Sequence, residues 1–181
     1  MNIQTVNEIA SELFLALRKQ EKIKPLTDRY PDIDINDAYQ ISRKFLSLRE
    51  DEGEEIVGKK IGVTSKVVQE MLGVNQPDFG FLTNAMQIKN KSNFTIADSL
   101  IQPRAEAEIA FILKEDLYGP GVTKNDVISS TAKILPCFEI VDSRINDWQI
   151  KIQDTVADNA SCGIFILGEG ECSSQKFAMD E

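Results

Sequence analysis

The chain has 181 residues, 42% apolar and 27% charged, a balance that suits a globular protein with one substantial domain. A net charge of −9 argues against nucleic acid or an anionic membrane as partner, and no stretch approaches the roughly 18 apolar residues of a membrane span. Histidine is absent, which excludes Ser-His-Asp and Cys-His catalysis and imidazole metal sites; any chemistry rests on carboxylates, lysine, hydroxyls, thiols or a metal.

The opening "MNIQTVNEIASELFLALRKQ" spreads acidic and polar residues throughout and does not read as a signal peptide. Val6, Ile9, Ala10, Leu13, Phe14 and Leu17 recur at helical spacing and predict a helix over 3–19. A loop with Pro25 and Pro31 follows. A second helix, opened by Asp34 or Asn36, turns Ala38, Ile41, Phe45 and Leu48 inward and ends at "EDEGEE". From residue 55 the texture becomes strand-rich. "EIVGKKIGVT" predicts a strand, "SKVVQEMLG" a short helix from Ser65 to Gly73, and "VNQPDFGFL" a loop. Short β segments are expected near 86–88 and 94–96. After them come a strand ending in the apolar run Ile109–Leu113, a helix opened by Thr123 or Asn125, and the strand "ILPCFEIVDS". A helical stretch near 146–156 and the strand "CGIFILG" complete the series. The pattern is α+β, with a helical segment over 1–54 and a β-rich body over 55–181. The tail "GECSSQKFAMDE" has a helix start at Ser173 or Ser174 and reads as cut short. Three cysteines without metal-ligand spacing fit a reducing cytoplasm, with Cys137 and Cys162 expected in the core.

"QPRAEAEIAFIL" places Glu106 and Glu108 on one face of a strand, since positions i and i+2 point the same way. Three readings are open for this pair: solvated strand-end residues, partners of a neighbouring Arg or Lys, or ligands of a cation that relieves both repulsion and desolvation. Oxygen ligands without histidine suit Mg²⁺ or Mn²⁺ better than Zn²⁺. Glu139 interrupts an apolar run and is the third candidate ligand, with Asp142 competing. In "GKKIG" only one of two adjacent strand lysines can face inward. Lys60, between Gly58 and Gly62, is that candidate, and beside a metal its pKa would fall toward neutrality. Asp78 in "NQPDFG" is either a turn former or a second acid/base group.

Taken together, "GKKIGVTSKVVQEMLGVNQPDFGFL", "IQPRAEAEIAFIL", "ILPCFEIVDSRINDW" and "DTVADNASCGIFILG" resemble the 2-keto-4-pentenoate hydratases. These and the 4-oxalocrotonate decarboxylases form part of the fumarylacetoacetate hydrolase superfamily. The ordered motifs run through nearly the whole chain. The resemblance implies a mixed β-roll, with Glu106, Glu108 and Glu139 as metal ligands for Mg²⁺ or Mn²⁺ and with Lys60 and Asp78 as acid/base groups. It also implies that Asn159 and Ser161 of "DNAS" border the substrate. The implied reaction adds water to a 2-hydroxy-2,4-dienoate, giving a 4-hydroxy-2-oxo acid in aromatic meta-cleavage catabolism. The alternatives are a metal-dependent 2-oxo acid decarboxylase and a truncated, non-catalytic metal-binding relative. A small-molecule 2-oxo or 2-hydroxydienoate substrate, a cytoplasmic homo-oligomer and association with other enzymes of the same pathway are further expectations. So is a C-terminal part beyond residue 181, which family members use to close the pocket.

Overall fold

Two long helices and two small antiparallel sheets make up residues 1–170, the part of the chain that the computed structural model describes. The expected helix start at Ser173 or Ser174, and Cys172 with it, lies outside the described residues.

Helix α1 (Ile3–Lys19) begins where the Asn2 side chain accepts a hydrogen bond from the Thr5 N–H, and ends at Gln20 in the left-handed conformation. A four-residue helix, α2 (Leu26–Arg29), occupies the loop between the two prolines. Asp34 opens α3 (Ile35–Asp51) through a capping box with Asp37. The buried stripes of α1 and α3 meet in one core, from Val6, Ile9 and Leu13 to Ala38, Ile41 and Phe45. Ile145 and the α6 residues (Ile152–Ala157) Val156 and Ala157 join that core.

Strand β1 (Ile56–Gly62) pairs antiparallel with β2 (Asp78–Thr83), and helix α4 (Lys66–Leu72) connects them. The second sheet has the order β3-β4-β5, formed by Arg104–Leu113, Thr131–Val141 and Ile164–Leu167, all antiparallel. Helix α5 (Lys124–Ser130) precedes β4 and is opened by Thr123.

Three expectations are corrected. "DFGFLT" is a strand, because the β1 backbone supplies partners that Pro77, Asp78 and Gly80 do not advertise locally. Residues 84–86 and 96–98 are 3-10 turns; near 86–88 only a single bridge, Gln87 to Phe165, is extended pairing. The apolar run of β3 is a strand but is not buried, with Ile109 55% exposed, because β3 is the edge of its sheet. No described helix is long and apolar enough to cross a membrane.

Candidate active site

The β1–β2 ribbon has two unlike faces. Strand alternation and the register Lys60–Gly80 and Gly62–Asp78 put Gly58, Lys60, Gly62, Asp78, Gly80 and Leu82 on one side. Lys59, Ile61, Phe79 and Phe81 lie on the other. The second face packs on α3, where Tyr39 stacks on Phe79 with centroids 4.7 Å apart and Lys59 lies over both phenylalanine rings. Lys59 is therefore the outward lysine and Lys60 the inward one. The glycines make the inward face possible. A Cβ at Gly62 would stand 2.4 Å from Asp78 Oδ1 and 3.2 Å from Lys60 Nζ, so acid and amine crowd one space that only glycine leaves open.

The second sheet brings the carboxylates. Glu106 and Glu139 are direct cross-strand partners, and Glu108 faces Cys137 on the same side. Glu139 lies on the central strand and is buried; Glu106 and Glu108 are exposed. Lys60 Nζ bridges the two sheets, 3.5 Å from Glu139 Oε1. That separation is an ion-pair contact too long for a good hydrogen bond, and Glu139 Oε1 has no hydrogen-bond partner. Neither oxygen of buried Asp78 has one, nor has the Ser161 hydroxyl. Asp142, the competing ligand, is fully buried and accepts from the Ile101 and Gln102 N–H groups, so it is a loop anchor.

The electrostatics follow from this crowding. Burial pushes Glu139 up, with Lys60 opposing and Glu106 adding to the rise. Burial likewise raises Asp78 against the pull of Lys60. For Lys60 burial alone would lower the pKa, but Cys162, Glu139, Asp78 and Glu106 together hold the ammonium above its ordinary range. The Cys162 thiol is itself pushed up to about 12 by burial and is neutral at pH 7, so the carboxylates are the effective partners. Among the protein's own groups, then, Lys60 moves in the direction opposite to the lowering expected beside a metal.

Among the described residues, no three Asp, Glu or Cys side chains converge in ligating positions as they stand. The donor set nevertheless fits a hard cation. Two glutamates face each other across adjacent strands, a third shares their face, and one of the three is buried with an oxygen that nothing satisfies. Lys60 is placed to offset part of this charge. A depression of about 630 Å³ along α1, lined by Gln4, Asn7, Glu8 and Ser11 among others, shares no residue with the cluster.

Asn159, Ala160 and Ser161 form a turn in which all three residues have positive φ, between 52° and 54°. Each such non-glycine residue costs about 1–2 kcal/mol, so the surroundings must hold it. Buried Asp158 does so by accepting from Arg144 Nε at 2.5 Å and from the Arg144 N–H at 2.9 Å. Of the two loop residues expected beside the substrate, Asn159 has its amide committed to the Phe81 backbone, while Ser161 keeps a free hydroxyl. Sequence reasoning missed Gly80 and the apolar wall of Leu82, Met86 and Phe165, which packs with Cys162, a residue expected in the core; Phe165 is the β5 partner of Glu139. The alternation of "DFGFLT" would have exposed Gly80, had that segment been read as a strand.

The fold is shared with a divalent-metal enzyme of known structure. The 4-oxalocrotonate decarboxylase from Pseudomonas putida G7, complexed with magnesium and adipate, superposes with a TM-score of 0.93 at 30% identity, covering 98% of this chain and 67% of that one. The same enzyme with calcium and acetate gives 0.91. No family model matches the chain. Curated relatives are more similar in sequence. A 2-hydroxypent-2,4-dienoate hydratase of Pseudomonas putida is 57% identical over 97% of this chain and 79% of its own length. A 2-hydroxyhexa-2,4-dienoate hydratase of Comamonas testosteroni is 58% identical over 92% and 63% respectively. A 2-keto-4-pentenoate hydratase of Paraburkholderia xenovorans is 43% identical over 93% and 62%. The chain belongs to the 2-keto-4-pentenoate (2-hydroxydienoate) hydratase family, and it spans less than two thirds of the length of the second and third of these relatives.

Proposed function

We propose that the chain is the hydratase portion that adds water to a 2-hydroxy-2,4-dienoate, giving a 4-hydroxy-2-oxo acid, with Mg²⁺ or Mn²⁺ held by Glu106, Glu108 and Glu139. The observation that carries this reading is Lys60, a partly buried ammonium between Glu139 and Asp78 at the mouth of an opposed glutamate pair. A bound divalent cation would neutralise the carboxylates and act as a Lewis acid toward the substrate's carboxylate and 2-oxygen.

The rest of the task falls to the protein. Asp78, raised by burial and without hydrogen-bond partners, holds or releases a proton at Oδ. Lys60 Nζ passes it between the substrate's 2-oxygen and the conjugated carbon chain, converting the dienol into an α,β-unsaturated ketone ready for water. Ser161 offers its free hydroxyl to the substrate. Leu82, Met86 and Phe165 form an apolar wall that keeps bulk water from the diene. In this reading residues 55–181 carry the chemistry and residues 1–54 support them. We extend it to a cytoplasmic homo-oligomer working in aromatic meta-cleavage catabolism.

Decarboxylation of a 2-oxo acid is the second reading, favoured by the superposition on the decarboxylase. Hydratase relatives at 43–58% identity, against 30% for the decarboxylase, support water addition over loss of CO₂. The test is the ultraviolet absorbance of the dienol with Mg²⁺ or Mn²⁺ present. Bleaching without CO₂ supports the hydratase; bleaching with stoichiometric CO₂ supports the decarboxylase; an unchanged spectrum with bound metal would identify a scaffold.

A further inference from the structure

The site is assembled from two sheets. Lys60 and Asp78 come from β1 and β2, Glu106 and Glu139 from β3 and β4. The turn at 159–161 is bonded to both. Toward the first sheet, Asn159 Nδ2 donates to the Phe81 carbonyl at 2.9 Å, and the Phe81 N–H donates to Asn159 Oδ1 at 2.8 Å. One amide thus gives the free edge of β2 the donor and acceptor that another strand would give. Toward the second sheet, the Ser161 carbonyl accepts from the Asp142 N–H at 2.8 Å, one residue beyond the end of β4. Between them lies Gly80, opposite Lys60. A Cβ there would meet the Asn159 carbonyl oxygen at 2.5 Å, Cys162 Sγ at 2.7 Å and Ala160 Cβ at 3.1 Å. The turn therefore rests directly on the strand position that backs Lys60. Asn159 is 1% exposed, so bulk water does not compete for its two hydrogen bonds.

We propose that Asn159 is a positioning residue: its amide fixes β2 against the turn and so sets where the Lys60–Asp78 pair stands relative to the Glu106–Glu139 pair. The proposal rests on the reading of those four residues as acid/base and metal groups. It departs from that reading in giving Asn159 no contact with substrate. Loss of the amide leaves the carboxylate pair intact, because β3–β4 pairing does not involve Asn159. What it releases is the ribbon, and with it the 3.5 Å approach of Lys60 to Glu139. The consequence is a fault in proton transfer with metal binding preserved.

The experiment uses Asn159→Gly, which removes the amide while tolerating positive φ, and Asn159→Asp, which keeps the acceptor and loses the donor. Three readings are taken on the whole chain: hydrogen exchange at the Phe81 amide, Mn²⁺ affinity, and dienoate turnover. With Asn159→Gly the Phe81 amide exchanges at least tenfold faster, Mn²⁺ affinity stays within threefold, and kcat falls at least tenfold while KM moves less than threefold. Asn159→Asp keeps more of the Phe81 protection but also loses kcat, and it carries the test if the glycine variant does not fold. Unchanged exchange, unchanged kcat, or a fall in Mn²⁺ affinity parallel to kcat overturns the proposal. If the unsubstituted chain turns over no dienoate, the functional reading fails by itself. Exchange and Mn²⁺ affinity then decide whether Asn159 holds β2 independently of the carboxylates.

Discussion

Gly80→Ala tests the seat of β2 with the smallest possible perturbation, one methyl group. Ordinary carbon contacts lie at about 3.5–4.0 Å. The new Cβ would begin 2.5 Å from a carbonyl oxygen and 2.7 Å from a sulfur, so strand and turn must part by about 1 Å. Neither neighbour can yield easily: the oxygen is backbone of a turn pinned by Arg144 and Asp158, and the sulfur is buried at 2% exposure. Overpacking of this kind costs about 1–3 kcal/mol. Stretching the two Phe81–Asn159 hydrogen bonds by a similar distance removes about 1 kcal/mol more. A total of about 2–4 kcal/mol lowers Tm by roughly 4–16 °C in a chain of this size. Thermal melts followed by circular dichroism, paired with dienoate turnover, read both effects. Gly58→Ala is the control on the same face: among the described residues its Cβ would meet only Leu82 Cδ1, at 3.9 Å, and stability should change by less than about 1 kcal/mol. A Gly80→Ala protein that melts within 2 °C of the parent and keeps its turnover would refute the tight seat and the coupling built on it.

Lys60→Met should reduce kcat by at least about a hundredfold, the usual scale for a general acid–base group, while Mn²⁺ affinity is held or improved by the loss of a competing cation; wild-type turnover would remove Lys60 from the mechanism. Glu139→Gln should weaken Mg²⁺ binding at least tenfold, and chelation should abolish parental turnover and readdition restore it; calorimetric titration and the dienol assay check both. Glu54→Gln should cost about 1.5–3 kcal/mol at pH 7, since hydrogen bonds from Arg49, Arg18 and Thr83 outweigh burial and hold the Glu54 pKa below its ordinary value. A lowered folded-state pKa means this advantage is complete above about pH 4.5 and disappears as pH falls through the folded value, so parent and variant should converge in acid denaturation.

The two long helices were legible because periodicity and capping residues are local signals. Asp34, one of the two caps the sequence offered, starts α3 with no help from the rest of the chain. Glu139 and Lys60 were legible as charges out of place in apolar strands, and the structure brings them within 3.5 Å. Strand β2 was not legible, because Pro77, Asp78 and Gly80 carry turn preferences and become a strand only when β1 lies alongside. Nor was the exposure of Ile109: five apolar residues in a row predict a buried strand, and only sheet order shows that this one is an edge. The part played by Asn159 could not be read at all. An amide standing in for a strand depends on Phe81, 78 residues earlier in sequence, and leaves no periodic trace.

The link between β1 and β2 has a bearing on how the molecule fails. Helix α4 contributes no buried residue, and Val67 and Met71 on it are each about three-quarters exposed. The ribbon it closes is held by its own pairing, by the aromatic contacts to α3, by the Thr83 bonds to Glu54 and Arg49 and by the Asn159 clasp, whereas α1, α3 and α6 share a continuous core. Opening of the ribbon therefore takes less free energy than opening of the helices. It removes Lys60 and Asp78 from the carboxylates while leaving the helical signal intact. On warming or in mild urea, inactivation should run ahead of the loss of ellipticity, with turnover lost at a sub-global opening rate.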